Sequence, residues 1–415
     1  MNKDITKTIS KIFYIILPIS LLIGFYFNED ASGGGAKLDF NTTWQYILDL
    51  NENLIFHYMN WENIHLPLHY ILMSFVYFFI NEENHIRFFF CILSLLVPFL
   101  FYSNLRIKYS NIDKNLLIIF ACILFLSPTF RYTAIWANLQ ITALIFFLLS
   151  LLFYLKWSQK NSKTIDLNLI LQILFMTLAT YTRQDYAIFY LFFMIIYFQK
   201  IEFKYFILLS IFVIILSLPG LWFVYEQSSV LLNIKFTPKL HNYFLVNSSI
   251  ISLYLIPIFL LLMLNERSFF KQDGKFIFLS IIFYTILVFI LSNFFNYNYK
   301  LGGGFILKLS LILFDNYLLF YASCIFGLAS LTYLAKNNIN NFVLIFLLLF
   351  GYMGDVVFQK YFEPIFIFVF FLLLDTKMSA EFLKKIKNII FLYIYFFVYL
   401  SSAIINDLFE LTKQI

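Results

Sequence analysis

The sequence predicts an all-α, polytopic membrane protein. Of its 415 residues 62% are apolar and only 13% are charged, and apolar runs recur from one end of the chain to the other. A segment inside a bilayer must satisfy its own backbone amides, which leaves helices or closed barrels, and these runs are too long and continuous for barrel strands. We therefore expect one integral membrane domain over 1–415 with about 13 transmembrane helices, or about 14 if the short run 66–80 crosses fully.

Positively charged loops give the predicted topology. Lysines precede the first apolar run, at about 10–27, which places that end in the cytoplasm and residues 28–64 outside as the first external loop. This run lacks a small-residue cleavage site, so we interpret it as an uncleaved helix. Residues 225–247 form a second external loop. Most Lys and Arg lie in loops on one side, so the net charge of +6 reflects topology and gives no sign of nucleic-acid binding.

The first external loop, 28–64, is where the sequence predicts chemistry. It carries Glu29, Asp30 and Asp39 in a chain that has few charges elsewhere. The run Gly33-Gly34-Gly35 is expected to exclude regular structure. Apolar residues spaced along 42–54 predict a short amphipathic helix on the membrane surface. We therefore expect a large external loop that carries short amphipathic helices.

Further polar residues gather on the same predicted side. A loop carboxylate can act as a general base, and fixed cations can offset charge that develops on a phosphate. Arginine suits a phosphate because its planar fork can donate twice, whereas lysine acts as a point charge. The candidates outside the loop carboxylates are His65, His69, Arg131, Tyr132, Arg183, Asp185, Lys300, Lys360 and Tyr361.

Several short motifs, taken in order, resemble the GT-C superfamily of polytopic glycosyltransferases, which take sugars from polyprenyl-phosphate donors. Glu29-Asp30 follows the first helix directly, and His65-Leu66-Pro67-Leu68 begins the next segment. SPTFRYTAIWA at 127–137, LATYTRQDYA at 178–187 and KYFEPIFIF at 360–368 complete the order.

A closer likeness is to the enzymes that add the terminal α-1,2-glucose to dolichol-linked oligosaccharide. It rests on the last two motifs and on Lys-Leu-His at 239–241. The chain differs from that group at Lys360, where arginine is usual, and in the order of Glu29 and Asp30.

The resemblance implies an inverting transfer in which Asp30 or Asp39 removes a proton from an acceptor hydroxyl while lipid phosphate leaves the anomeric carbon. It implies a polyprenyl-phosphate sugar donor, a glycan, lipid or protein acceptor, surrounding membrane lipids, no nucleic acid and no cofactor. The protein would be a multi-pass component of a bacterial inner membrane with its site facing the periplasm. The implied substrate-binding residues are Glu29, His65, His69, Arg131, Tyr132, Arg183, Asp185, Lys300, Lys360 and Tyr361.

Simpler interpretations of the same residues stay open. Asp30 can be a solvated carboxylate, Arg131 can anchor a helix end at the interface, and Arg183-Gln184-Asp185 can form a local ion pair. Two other functions also stay open, a transporter or flippase of lipid-linked saccharides and a polysaccharide polymerase.

A divalent metal is the less favoured alternative to a metal-free site. Glu62, His65 and His69 form the pattern E-x-x-H-x-x-x-H, and two histidines four residues apart on one helix are spaced for zinc or manganese.

Overall fold

The computed structural model describes residues 3–160, 163–226, 239–265, 273–298, 302–352 and 356–414. It confirms the expected all-α class. The expected number of 13 spans is too high. Within the described ranges eight helices are long and apolar enough to cross a membrane, or nine if the bent pair Lys114–Leu126 and Pro128–Ile135 forms one span.

Short apolar helices account for the difference between the expected and the observed number of candidate spans. A span needs about 20 apolar residues, because each residue of a helix rises by about 1.5 Å through a hydrocarbon layer of about 30 Å. Several apolar runs that look like spans in the sequence fold into shorter helices of 10–17 residues. These helices are Leu68–Tyr77, Leu167–Thr182, Gly304–Phe314 and Ile339–Phe350.

The chain forms two compact units, and the first comprises Met1–Ile234 with Phe396–Ile415. Its helices are α1 (Lys3–Tyr26), α2 (Gly35–Glu52), α3 (Leu54–Met59), α4 (Leu68–Tyr77), α5 (Glu83–Leu93), α6 (Leu96–Lys108), α7 (Lys114–Ala121), α8 (Pro128–Ile135), α9 (Leu139–Gln159), α10 (Leu167–Thr182), α11 (Ala187–Lys200) and α12 (Phe203–Glu226). Helix α9 lies at its centre, with 72% of its apolar window buried.

Several buried polar side chains in this core form hydrogen bonds with one another or with backbone carbonyls. Gln172 of α10 accepts a hydrogen bond from the Tyr197 hydroxyl and donates one to Ser150 Oγ at 3.2 Å. Asn104 donates to the carbonyl of Leu148 at 3.0 Å. Such pairing offsets the cost of burying amides among apolar side chains.

Residues 28–64 do not form the large loop that was expected, because α2 and α3 occupy most of them. The predicted amphipathic helix at 42–54 lies within α2, apart from its last two residues. The expectation that the glycine run excludes regular structure is wrong: Gly33 and Gly34, with φ of 71° and 82°, form the turn, and Gly35 starts the helix. The buried positions recur every three or four residues along one face of α2: Ala36, Phe40, Thr43, Ile47 and Leu50.

The second unit comprises Lys235–Tyr395. Its helices are α13 (Leu240–Asn265), α14 (Gly274–Ser292), α15 (Gly304–Phe314), α16 (Leu318–Ala335), α17 (Ile339–Phe350), α18 (Ile365–Phe368), α19 (Lys377–Leu383) and the first part of α20 (Ile386–Gln414). Helix α13 is the most buried candidate span, at 89% of its window. The prediction of a single domain over 1–415 stays a prediction.

Small residues let α13 and α16 approach closely. Gly327 of α16 faces the backbone carbonyl of Ser248 and the Cβ of Ser252 in α13. Ser249 and Ser323 share a hydrogen bond of 2.7 Å across the same pair of helices. Close backbone contact at small residues is a common way for helices to associate in lipid.

We predict that Gly327→Ala destabilises the protein. A Cβ there would overlap the Ser248 carbonyl oxygen, and backbone cannot move aside cheaply. The expected cost is about 1–3 kcal/mol, seen as a lower melting temperature in detergent. Gly274→Ala is the matched control, since a Cβ at Gly274 meets nothing within 4 Å. Equal melting temperatures for the two variants would contradict this packing.

Candidate functional site

The turn after α1 is fixed by a buried ion pair between Glu29 and Arg131. Arg131 Nε donates to Glu29 Oε1 at 2.6 Å and its Nη2 to Oε2 at 2.5 Å. The remaining N–H groups of Arg131 bind the Ser20 side chain and carbonyl and the Phe125 carbonyl, at 3.0–3.2 Å. Arg131 therefore holds α1, its following turn and α8 together, and only 4% of the residue is exposed.

Asp30 caps the start of α2. One carboxylate oxygen accepts hydrogen bonds from the Ser32 N–H at 3.0 Å and the Ser32 hydroxyl at 2.5 Å, and the other accepts from the Lys37 N–H at 3.0 Å. Asp30 is 7% exposed. An acceptor at this position satisfies amides that a helix leaves without intrahelical partners.

Asp39 lies in the first turns of α2 and is exposed. Its charge acts on Tyr70 at the start of α4: burial raises the pKa of the Tyr70 hydroxyl, and the Asp39 carboxylate adds to that rise. Asn63 donates a hydrogen bond of 3.0 Å to the same hydroxyl. Asp39 is thus an exposed carboxylate of α2 that is close enough to act on Tyr70 of α4 by its charge.

The two predicted histidines have different surroundings. His65 is half-buried, and its Nδ1 lies 3.5 Å from Gln184 Oε1. His69 is fully buried with Nδ1 3.0 Å from Thr142 Oγ1. Burial lowers the pKa of His69 to about 3, so its imidazole is neutral at physiological pH; its helix, α4, is too short to be a candidate span.

The metal alternative needs His65 and His69 on one helix, but α4 starts at Leu68, so His65 lies in the turn before it. Within the described ranges no group of three His, Cys, Asp or Glu residues is placed to hold a metal ion.

Arg183 lies at the junction of α10 and α11 and forms the local ion pair considered as the alternative. Its Nε donates to Asp185 Oδ1 at 3.1 Å, and Nη2 pairs with Oδ2. The Arg183 side chain is 3% exposed, whereas that of Asp185 is 20% exposed. The next residue, Gln184, donates to the Ile64 carbonyl at 2.7 Å. This bond and the His65 contact dock the segment before α4 onto the junction.

The remaining candidates are spread through the chain. Tyr132 is buried in α8, at 8% exposure. In the second unit Lys360 lies 5.3 Å from the Phe358 ring, and Tyr361 stacks on Tyr352 with 6.1 Å between ring centroids. Lys300 lies outside the described residues, as do 227–238 of the predicted second external loop.

An apolar groove opens beside the docked segment. It borders a buried cluster formed by residues of α2, α4, α9, α12 and the segment before α4. Among the described residues, Asp30 and Asp39 do not belong to its lining. The groove is lined by Tyr58, Leu66, Pro67, Leu68, Ile71, Tyr181, Pro219, Gly220 and Phe223.

Tyr181 joins the wall of this groove to α12. Its hydroxyl donates to the Leu216 carbonyl and accepts from the Gly220 N–H at 3.1 Å, so it bridges two backbone groups one helical turn apart. Pro219 lies inside the helix, and a Cβ at Gly220 would stand 2.6 Å from the Tyr181 ring. Our sequence reasoning did not single out Tyr181, although Pro219-Gly220 within an apolar run was a signal for an irregular position in the helix.

Arg87 is the second residue that we did not single out. It is a buried arginine in α5, and its position inside an apolar run was the available signal.

These features define a multi-pass helical membrane protein. Its carboxylate-bearing segment, residues 28–64 with Glu29, Asp30 and Asp39, folds beside an apolar groove. No protein-family model, no curated protein and no solved structure matches the chain.

We predict that Tyr181→Phe destabilises the protein by about 1–3 kcal/mol, because the Gly220 N–H and the Leu216 carbonyl lose their shared partner. Gly220→Ala should act in the same direction by displacing the tyrosine ring. Melting temperature in detergent measures both effects. Tyr225→Phe, at an exposed position of the same helix, is the control. The bridge would have no energetic weight if Tyr181→Phe melted like the control.

Proposed function

We propose that this chain is a membrane glycosyltransferase that moves a sugar from a polyprenyl-phosphate donor to a glycan, lipid or protein acceptor, with inversion at the anomeric carbon. The observation that carries the proposal is the docking of the segment before α4, which follows the aspartate-bearing helix α2, onto the Arg183 junction through Gln184 and the Ile64 carbonyl at 2.7 Å, next to an apolar groove. An acid/base group, a phosphate-binding cation and an apolar surface are what a sugar carried on a lipid phosphate requires.

Burial and exposure suggest different roles for the two aspartates. Both carboxylate oxygens of Asp30 accept bonds at the start of α2, which suits a residue that positions the helix. Asp39 is exposed one turn further along α2 and can reach an acceptor. We therefore assign Asp39 as the base and Asp30 as its positioning residue.

In the proposed step Asp39 takes the proton of an acceptor hydroxyl, and the oxygen forms a bond to the anomeric carbon. The bond from that carbon to the phosphate oxygen breaks, and its electron pair leaves with the lipid phosphate. Arg183 is the proposed source of positive charge near the leaving group, while Asp185 holds its fork in place.

We predict that Asp39→Asn lowers the transfer rate by about a hundredfold or more, because an amide cannot accept the proton. The assay uses the full chain in detergent with a panel of polyprenyl-phosphate hexoses and pentoses, and product stereochemistry reports inversion. Asp30→Asn should lower both rate and melting temperature, since an amide supplies one accepting oxygen where the carboxylate of Asp30 uses two.

Asp49→Asn is the control, because it removes one carboxylate from another position of the same helix. Wild-type rates for Asp39→Asn on a donor that the parent uses would remove Asp39 from the role of base. Wild-type rates for both Asp30→Asn and Asp39→Asn would remove the carboxylate mechanism.

A transporter or flippase of lipid-linked saccharides is the second candidate, favoured by one group in the second unit. Glu363 is 1% exposed and accepts a hydrogen bond of 2.8 Å from Tyr254, which lies near the middle of the candidate span Leu240–Leu264. Short helices flank it, since Gln359 caps the start of α15 through the Phe305 N–H and α18 begins at Ile365. Buried carboxylates and interrupted helices at mid-membrane depth are typical of transporters. Movement of a labelled lipid-linked sugar across vesicles without sugar transfer would favour this candidate.

A further inference from the structure

Arg87 is a buried cation in the first unit with an aromatic enclosure. The residue is 4% exposed, and its guanidinium carbon lies 3.8 Å from the ring centroid of Trp136. Phe25 and Phe40 complete the enclosure at 5.3 and 5.7 Å. Contact with aromatic faces stabilises a guanidinium and fixes the orientation of its plane.

The hydrogen-bond partners of Arg87 are all neutral. Nη2 donates to Asn28 Oδ1 at 2.9 Å, Nη1 to Asn84 Oδ1 at 3.2 Å, and Nε to the Ile135 carbonyl at 3.4 Å. Arg131 and Arg183, which are as deeply buried, each bind a carboxylate at both ends of the fork. Among the described residues no carboxylate forms an ion pair with Arg87.

The two amide partners place the guanidinium just beneath the surface. Asn28 and Asn84 are both exposed, so an anion that arrives from outside can replace their amide oxygens. A guanidinium has five N–H donors, and its charge-assisted bonds to a phosphate are stronger than its bonds to amides. A phosphate that replaced the two amides would therefore form stronger hydrogen bonds with the guanidinium.

The described acidic groups near Arg87 do not form ion pairs with its guanidinium. Glu29 is bound to Arg131, and its backbone carbonyl accepts a hydrogen bond of 3.1 Å from Trp136. Asp30 is bound at the start of α2. Glu83, in the first turn of α5, is near enough to act on Arg87 by its charge without forming an ion pair.

Exposed apolar rings lie near Arg87 in the chain and beside its partner Asn28. Tyr26 and Phe27 at the end of α1 are 79% and 74% exposed, and Phe88, the next residue after Arg87 in α5, is 43% exposed. Tyr26 ends the candidate span Asp4–Tyr26, and Phe88 lies in the first two turns of the candidate span Glu83–Lys108. A ligand that brings a phosphate here can lay an apolar chain on these rings.

We propose that Arg87, together with Asn28 and Asn84, binds the phosphate group of a lipid-linked phosphate. The site deepens the proposed function by adding a position, separate from the Arg183 junction, that holds the polyprenyl-phosphate donor, and its assignment to that donor rests on the proposed function. Binding of the lipid phosphate does not depend on sugar transfer, so the binding experiment and the transfer assay can fail independently of each other.

The test measures binding of polyprenyl phosphate to the full chain in phosphate-free maltoside micelles. Asn84→Asp supplies an internal counter-ion at the position that now accepts from Nη1. It should leave the melting temperature unchanged or higher and weaken binding by about tenfold or more, because the internal carboxylate competes with the phosphate. Asn60→Asp, at an exposed position with the same change in charge, should bind like the parent.

Arg87→Lys separates charge from geometry, since lysine keeps the charge but loses the fork. We expect a folded variant with weaker binding that keeps its preference for phosphate over uncharged polyprenol. Glu83→Gln should tighten binding by removing a repelling charge.

Binding of three other ligands tests which chemical groups the site recognises. Polyprenol without phosphate should bind far more weakly, and equal binding would overturn the proposal. Inorganic phosphate should compete only at high concentration, because it lacks the apolar chain. Phosphatidic acid that bound as tightly as polyprenyl phosphate would support a lipid-phosphate site and contradict its assignment to the donor. Wild-type affinity in a folded Asn84→Asp variant would show that Arg87 serves only to hold the helices together.

Discussion

The buried pair of Glu29 and Arg131 is the interaction on which the start of α2 and the proposed site depend. Its partners are 102 residues apart in the chain, and the pair joins the turn after α1 to α8. Space for it comes from Gly24, where a Cβ would stand 2.5 Å from Glu29 Oε2 and 2.7 Å from Arg131 Nη2. Breaking a buried pair by removing one partner typically costs about 3–5 kcal/mol, because the other charge is left buried.

The position of α2 and its contacts follow from the position of this turn. Asp30, the next residue, caps α2, and α2 buries Phe40 beside Trp136 with 6.3 Å between ring centroids. Trp136 in turn covers the guanidinium of Arg87. The exposed carboxylate of Asp39 and the proposed phosphate site are therefore both placed by the segment that Glu29 anchors.

The sequence predicted the class of structure and the position of the polar segment, but only some of the contacts. The apolar runs identified the helices, yet hydropathy alone did not separate full spans from short helices such as Gly304–Phe314. The Arg183 and Asp185 pair lies within one short motif and was considered in advance. The Glu29 and Arg131 pair could not be predicted, because no local pattern reports a partner more than a hundred residues away. Arg87 could not be singled out by hydropathy, because a single charge within an apolar run leaves the run long and apolar enough to predict a helix.

Hydrogen exchange of the Glu29→Gln variant tests most directly whether the pair holds the carboxylate-bearing segment. The substitution keeps the shape of the side chain and removes its charge. We predict that amides of α2, Gly35–Glu52, exchange about tenfold faster or more than in the parent, while those of α9 and α10 in the same unit keep their protection. Unchanged exchange in α2, or a uniform increase throughout the unit, would contradict the central role of this pair.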